Sequence, residues 1–138
     1  MTLSSVNIDA LASLTKNVAS AHDALETLVA LGCRVAIDDI GTGTSSLARL
    51  AELPATEIKI DRSFVQPMLH DRRRSAVVVA VARLGQELGL DVVAEGVEDT
   101  ATAAGVAQAG CSAGQGFLWS PPLDADHLVP LLLSLSTR

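Results

Sequence analysis

Asp38 and Asp39 are adjacent carboxylates at the end of a short apolar run, in the segment VAIDDIGTG (residues 35–43). The β-branched run predicts a buried parallel strand, and the aspartates follow where that strand ends. Carboxylate oxygens are the ligands that hard divalent cations prefer, and repulsion between two adjacent carboxylates favours a cation bound between them. An Asp-rich turn is the alternative interpretation of the pair taken alone.

Polar residues follow other predicted strands in the same way. The segments LGCRVAIDD, LGLDVVAEG and AGCSAGQG share one plan, in which a capping glycine precedes a strand that ends in a polar residue. This repeat predicts successive βα units, whose parallel strands end at the same edge of the sheet. We therefore expect one site surrounded by Asp38, Asp39, Lys59, Glu95, Glu98 and Gln115. Taken singly, each of these could be a solvated charge or a turn residue.

The elements that position these residues are predicted from periodicity and breakers. The segment Glu57–Val65, EIKIDRSFV, alternates as a strand would, and the segment SAGQGFLW predicts a last strand. We expect a poorly defined N-terminal segment over residues 1–20 and one folded domain over residues 21–138. The predicted helices cover residues 22–31, 45–53, a stretch that follows the charged run 71–74 and ends at Gly89, residues 100–109, and a terminal helix that is capped by Asp124 and disturbed by Pro130.

Composition limits the possible functions. The 138 residues are 49% hydrophobic, which argues against disorder, and the net charge of −6 provides no general basic surface for a nucleic acid polymer. Cys33 and Cys111 are too few for a disulfide framework and are expected to be reduced, buried thiols. No leader and no apolar run of membrane-spanning length is present, so no membrane partner and a cytoplasmic location are expected.

Four segments together resemble the EAL domain, the cyclic di-GMP phosphodiesterase family named for its Glu-Ala-Leu motif. They are DDIGTGTSSL, EIKIDRSFV, VVAEGVE and QGFLWSPPL, in this order along the chain. The resemblance implies an α/β fold, a partial (β/α)8 TIM-type barrel. It also implies that residues 21–138 carry the C-terminal half of that barrel, roughly strands 5 to 8 with their helices.

The resemblance also implies roles for residues at the metal side of the site. Asp38 and Asp39 match metal-binding aspartates, and Asp38 would bridge two Mg²⁺ or Mn²⁺ ions. Lys59 matches the lysine that holds or polarises the attacking water, and Glu95 matches the active-site carboxylate on the side of the second metal. Two cations so placed activate water for hydrolysis of cyclic di-GMP to linear pGpG.

On the nucleotide side, Glu98 matches the glutamate that orders the loop after strand five, and Gln115 matches a polar residue near the nucleotide and the water. The sequence also departs from the family pattern: it has no Glu-Ala-Leu segment, the family's first-half Asn is absent, and only Asp9 stands near the place of a third Glu ligand. We therefore expect a weak or partial metal site and an isolated chain that is inactive or weakly active. The alternative is a non-catalytic module that binds cyclic di-GMP or, through open sheet edges, a partner protein or a second copy of itself.

Overall fold

The computed structural model of the protein describes residues 18–40, 50 and 52–135. Helices and strands alternate along most of this part of the chain. In order they are α1 (Val18–Ala30), β1 (Ala36–Ile40), β2 (Glu57–Ile60), α2 (Arg62–Val65), α3 (Arg72–Leu88), β3 (Asp91–Glu95), α4 (Thr100–Ala109), β4 (Ala113–Gln115) and α5 (Ala125–Leu135).

The four strands form one parallel sheet in the order β1-β2-β3-β4. Alternate residues of β2 and β3, such as Ile58 and Val92, are fully buried in a core that they share with Val78 and Val81 of α3. The intervening residues, Lys59 among them, lie on the opposite face. The predicted α/β class is therefore confirmed, and polar side chains are left on the face away from this core.

Two of the predicted strands are shorter in the structure. The Asp61 side chain accepts a hydrogen bond from the Ser63 backbone N–H at 2.9 Å, and this N-cap starts the one-turn helix α2 directly after Ile60. The segment predicted as one strand up to Val65 is thus a strand followed by a helix. The last predicted strand is limited to Ala113–Gln115. Most of the helix predicted at 45–53 lies outside the described residues.

The longer helices begin and end where local chemistry predicts. Asp71 accepts hydrogen bonds from the backbone N–H groups of Arg73 and Arg74 at the start of α3, and Asp99 caps α4 in the same way. The left-handed glycines Gly89 and Gly110 follow the last turns of α3 and α4. The charged run 71–74 is therefore the start of α3 itself, with Asp71 as its N-cap and the three arginines in its first turn.

The terminal helix begins at the predicted cap and contains Pro130, as the sequence indicates. Asp124 accepts a hydrogen bond from the His127 N–H at 3.0 Å, as expected of an N-cap. Pro130 lies inside α5 without ending it, because the helix continues to Leu135. None of the described helices has the length and hydropathy needed to cross a membrane.

The thiols are less enclosed than expected. Cys33 and Cys111 are both free, as predicted, but each is half-buried rather than buried. Cys111 lies just before β4 and packs at the margin of the core, and this burial raises the pKa of its thiol to about 11. Cys111 is structural in this setting, because a raised pKa leaves little reactive thiolate at neutral pH.

Candidate functional site

The pairing of β1 with β2 changes register where the two aspartates stand. Ile37 pairs with Ile58 and Ile40 pairs with Ile60, so Asp38 and Asp39 together lie opposite the single residue Lys59. A bulge of this kind adds one residue to a strand and re-aims the side chains beside it. Asp38 is exposed at this point, and the side chain of Asp39 lies outside what the structure describes. In β2 and β3, buried residues alternate with less buried ones. The bulge in β1 accounts for two adjacent aspartates in a strand of the same sheet.

Lys59 makes the central polar contact of the site. Its Nζ donates a hydrogen bond to Glu95 Oε1 of the adjacent strand, and the two side chains are only 12% and 23% exposed. Burial alone lowers the pKa of the Lys59 ammonium, but the hydrogen bond to Glu95 and the charges of Glu95, Asp38 and Glu57 outweigh it, so that the pKa is raised. Lys59 is therefore a fixed positive charge between the strands that carry Asp38 and Glu95.

Glu95 also lines a cleft that holds two other predicted site residues. Glu95 and Gln115 are paired residues of β3 and β4, and Glu98 lies in the loop after β3. The cleft has a volume of about 300 Å³ and is lined by Asp61, Arg62, Glu95, Gly96, Glu98, Gln115, Gly116 and Phe117. The structure thus brings Glu95, Glu98 and Gln115 together and joins Lys59 to them through Glu95.

Glu98 is held from a second direction. The Gln66 side chain, just after α2, donates a hydrogen bond from Nε2 to Glu98 Oε1 at 2.8 Å. Glu98 also lines a smaller neighbouring cleft with Asp99 and Thr102. The loop that Glu98 is expected to order, residues 41–49, lies outside the described residues, so that role stays a prediction.

Two glycines allow the loops of this edge to approach each other. Gly96 has φ +73°, and a Cβ there would lie 2.4 Å from Cβ of Arg62. A Cβ on Gly116 would lie 2.1 Å from the carbonyl oxygen of Val97. Only glycine fits both positions, so the loops after β3 and β4 close tightly around the cleft.

Besides the two glycines, sequence reasoning missed three residues that line the cleft, Asp61, Arg62 and Phe117. Asp61 directly follows β2, so the rule that a polar residue follows each strand would have found it if the strand had been ended at Ile60. Hydrogen bonds from Ser63 lower the pKa of the Asp61 carboxyl. Arg62 and Phe117 gave no signal in the sequence, because their contribution depends on how the loops fold back.

The donor set at this edge suits a hard cation. Asp38 and Glu95 offer carboxylate oxygens and Gln115 offers an amide oxygen, which are the ligand types of Mg²⁺ and Mn²⁺. Within the described part of the chain, however, the group of three whose ligand atoms all lie within 4.8 Å of one another is His22, Asp23 and Glu26 of α1, and it includes none of these residues.

A parallel sheet with its polar residues at the carboxyl ends of the strands defines a class, the α/β folds that keep their chemistry at that edge. The family model of the EAL domain matches residues 5–122. The chain belongs to the EAL domain family, which confirms the resemblance read from its motifs. Its fold is accordingly part of a TIM-type barrel.

Individual relatives agree with this assignment. The chain is 47% identical over 105 residues to the bifunctional diguanylate cyclase/cyclic di-GMP phosphodiesterase MucR of Pseudomonas aeruginosa, covering 76% of this chain and 15% of MucR. The crystal structure of the EAL domain of Mycobacterium smegmatis DcpA matches with a TM-score of 0.80 and 38% identity, covering 88% of this chain and 54% of that one. The chain therefore spans only part of the proteins it matches.

A third relative was solved with ligands. The manganese and cyclic di-GMP complex of Klebsiella pneumoniae BlrP1 matches with a TM-score of 0.66 and 36% identity, covering 72% of this chain and 26% of that one. A member of the family thus binds a divalent metal and the cyclic dinucleotide together.

Proposed function

We propose that this chain carries part of a two-metal cyclic di-GMP phosphodiesterase site, which binds Mg²⁺ or Mn²⁺ and the dinucleotide at the carboxyl edge of its sheet. One observation carries the proposal: Lys59, Glu95, Glu98 and Gln115 converge on one edge beside the bulge at Asp38, in a member of the EAL family. We expect cation binding to be weak, because few protein oxygens leave most of the coordination shell to water.

Each residue has a distinct part in this proposal. Asp38, Asp39 and Glu95 hold the cation, and the raised pKa of Lys59 keeps its ammonium charged and able to orient the attacking water. A bound divalent cation supplies a lowered pKa for that water and stabilisation of the oxygen that leaves. The water adds across one phosphorus–oxygen bond, its hydroxyl going to phosphorus and its proton to the released ribose oxygen, which gives linear pGpG.

The cleft beside Glu95 would hold part of the dinucleotide. Gln115 and Glu98 offer an amide and a carboxylate at its wall, and Phe117, which is 66% exposed, offers an aromatic face for stacking. The Arg62 side chain adds a positive charge at the same wall, suited to a phosphate. Binding of the nucleotide is therefore expected to depend on the loops as well as on the strands.

Calorimetry with cyclic di-GMP in Mg²⁺ tests the binding step, and release of pGpG in Mn²⁺ tests turnover. We expect measurable binding that Glu95→Gln weakens about tenfold or more, which corresponds to about 1.4 kcal/mol. Glu87→Gln, which removes one carboxylate from an exposed position of α3, is the matched control and should bind like the wild type. A wild-type chain without affinity for the dinucleotide contradicts the proposal.

Turnover distinguishes a catalytic phosphodiesterase site from a site that only binds the dinucleotide. We expect pGpG release to be slow or absent with the isolated chain, because the family's Glu-Ala-Leu glutamate and first-half asparagine are not in this sequence. Ordinary enzyme rates that both Asp38→Ala and Glu95→Ala abolish would overturn the expectation of weak activity. Binding without turnover would instead identify a dinucleotide-binding module.

A second candidate function is protein interaction, including self-association. Within the described residues β1 pairs only with β2 and β4 only with β3, so each outer strand has an open edge. Helix α5 also exposes Leu128, Val129, Leu132 and Leu133. Apolar surface and open strand edges both favour association with another chain.

Light scattering tests this second function. We expect the wild-type chain to have a mass above that of one 14.3 kDa copy, and the double variant Leu128→Gln/Leu132→Gln to lower it. Ala104→Gln, on the exposed side of α4, is the control and should leave the mass unchanged. A monomeric wild type that captures no partner argues against the interaction function.

A further inference from the structure

Lys59 stands among carboxylates on both sides of its strand. Its ammonium bonds to Glu95 on β3, while the bulge of β1 sets Asp38 and Asp39 opposite it on the other side. The negative charge of Glu57, two residues earlier on the same strand, also favours the charged form of Lys59. The sequence has two lysines, Lys16 and Lys59, and Lys59 is the one within the part of the chain that the structure describes.

The contact with Glu95 is shielded from solvent. Both side chains are largely buried, and attraction between charges is stronger there than at a solvated surface because water screens it less. A cation that takes Glu95 as a ligand must therefore compete with an ammonium that is already bound to it. A divalent cation close to the ammonium would also repel it.

We propose that Lys59 is a tethered counter-cation that a divalent metal ion must displace from Glu95, so that Lys59 sets the affinity of the site for the metal. This inference rests on the proposed function in one respect, that Glu95 is a metal ligand. Displacement also fixes the order in which the metal binds and Lys59 is released. Lys59 becomes available to orient the attacking water only after the metal has taken Glu95.

Binding of Mn²⁺ alone, followed by electron paramagnetic resonance or calorimetry, tests the competition. We expect Lys59→Met to bind Mn²⁺ about tenfold more tightly than the wild type, and Lys59→Arg, which keeps the charge, to remain near the wild type. Arg83→Met removes the same charge from an exposed position of α3 and should change the affinity less than about twofold. Equal or weaker binding by Lys59→Met overturns the proposal.

A measurement on the wild type covers the case in which Lys59→Met does not fold. The two lysines give two side-chain signals in a spectrum of lysine labelled with ¹³C at Cε and ¹⁵N at Nζ. We expect the Lys59 signal to shift with added Mg²⁺ while the Lys16 signal serves as reference. A Lys59 signal that stays unchanged at saturating Mg²⁺ overturns the proposal.

The result of the Mn²⁺ experiments is distinguishable from the result of the cyclic di-GMP experiment that tests the proposed function. Cyclic di-GMP is absent from every sample, so a failure to bind the dinucleotide contradicts the proposed function without affecting this result. Tight Mn²⁺ binding by Lys59→Met alone would support the competition even if the wild type binds no metal. Absence of Mn²⁺ binding in both proteins overturns it.

Discussion

The two ends of the sheet treat charge in opposite ways. At the amino end, Arg34 Nη2 lies 2.7 Å from Glu57 Oε2 and 2.5 Å from Asp91 Oδ2, so one guanidinium joins the start of β2 to the start of β3. Hydroxyl groups complete this end: the Val35 N–H donates to Thr56 Oγ1, and the Val92 N–H donates to Ser112 Oγ. Polar groups here connect neighbouring strands.

At the carboxyl end, carboxylates outnumber the cations beside them. Among the described residues, four carboxylates share this edge with two cations, the Lys59 ammonium and the Arg62 guanidinium; the carboxylates are those of Asp38, Asp61, Glu95 and Glu98. An excess of one charge is costly for stability but suits a site that binds a cation. The amino end thus stabilises the sheet, whereas the carboxyl end carries the charge excess that a cation-binding site needs, a division that parallel βα folds share.

The largest expected effect comes from adding a Cβ to a glycine in the tightly packed loops at the carboxyl end. Gly116→Ala should cost about 3 kcal/mol of the free energy of unfolding, because its Cβ would meet the Val97 backbone. That backbone also joins the two loops, since the Val97 N–H donates to the Gln115 carbonyl and the Val97 carbonyl accepts from the Leu118 N–H. Urea denaturation measures the loss.

Gly114→Ala is the matched control for this change. Its Cβ would crowd the ring of Trp119, at 2.8 Å, and would lie at an ordinary contact distance of 3.4 Å from Cγ2 of Val97; Trp119 is exposed and can move. We expect a cost of about 1 kcal/mol or less. Equal losses for the two variants would show that the carboxyl-end loops are less tightly joined than the structure indicates.

The second effect compares one ion pair from each end by double-mutant cycles. The Lys59–Glu95 pair should give a coupling energy of about 2 kcal/mol, because both side chains are shielded. The Arg34–Asp91 pair should give only about 0.5 kcal/mol, because it is 45% and 53% exposed and Arg34 keeps Glu57 when Asp91 is removed.

The cycles use Lys59→Met with Glu95→Gln and Arg34→Met with Asp91→Asn, and urea denaturation measures each free energy of unfolding. Saturating Mg²⁺ should reduce the coupling at the carboxyl end and leave that at the amino end unchanged. A larger coupling at the amino end would reverse the proposed division between the two ends.

The smallest effect is alkaline sensitivity at the amino end. Burial raises the pKa of the Cys111 thiol from 9.0 to about 11, so the folded chain keeps a proton that the unfolded chain loses first. The stabilisation is complete below pH 9 and is lost as the pH rises toward 11. Because the thiol is only half-buried, we expect a loss of about 1 kcal/mol between pH 8 and pH 10.

Cys111→Ala should remove this loss, and Cys33→Ala should retain it. Urea denaturation at several pH values measures both variants. An unchanged pH dependence in Cys111→Ala would assign the alkaline loss to another group, such as Lys59, whose raised pKa gives a loss of stability at still higher pH.

Local signals predicted most of the elements. Capping residues such as Asp71 and Asp99 and the glycines after α3 and α4 predict helix boundaries because their interactions involve only neighbouring residues. The strand predicted through Val65 was wrong because Asp61 can cap a helix, a local interaction that outweighed the alternation of the sequence. The cleft residues Arg62, at the start of α2, and Phe117, in the turn after β4, could not be predicted, since their approach to the cleft depends on contacts far apart in the chain.

The sequence by itself determined the parallel order of βα units and therefore the edge at which Asp38, Glu95 and Gln115 meet. Periodicity and caps suffice for this, because the crossover rule fixes the direction of each strand. Only the tertiary structure decided that Asp38 and Asp39 lie across a bulge from Lys59 and that Lys59 bonds to Glu95. Register and side-chain pairing are properties of two strands packed together, and neither strand carries that information alone.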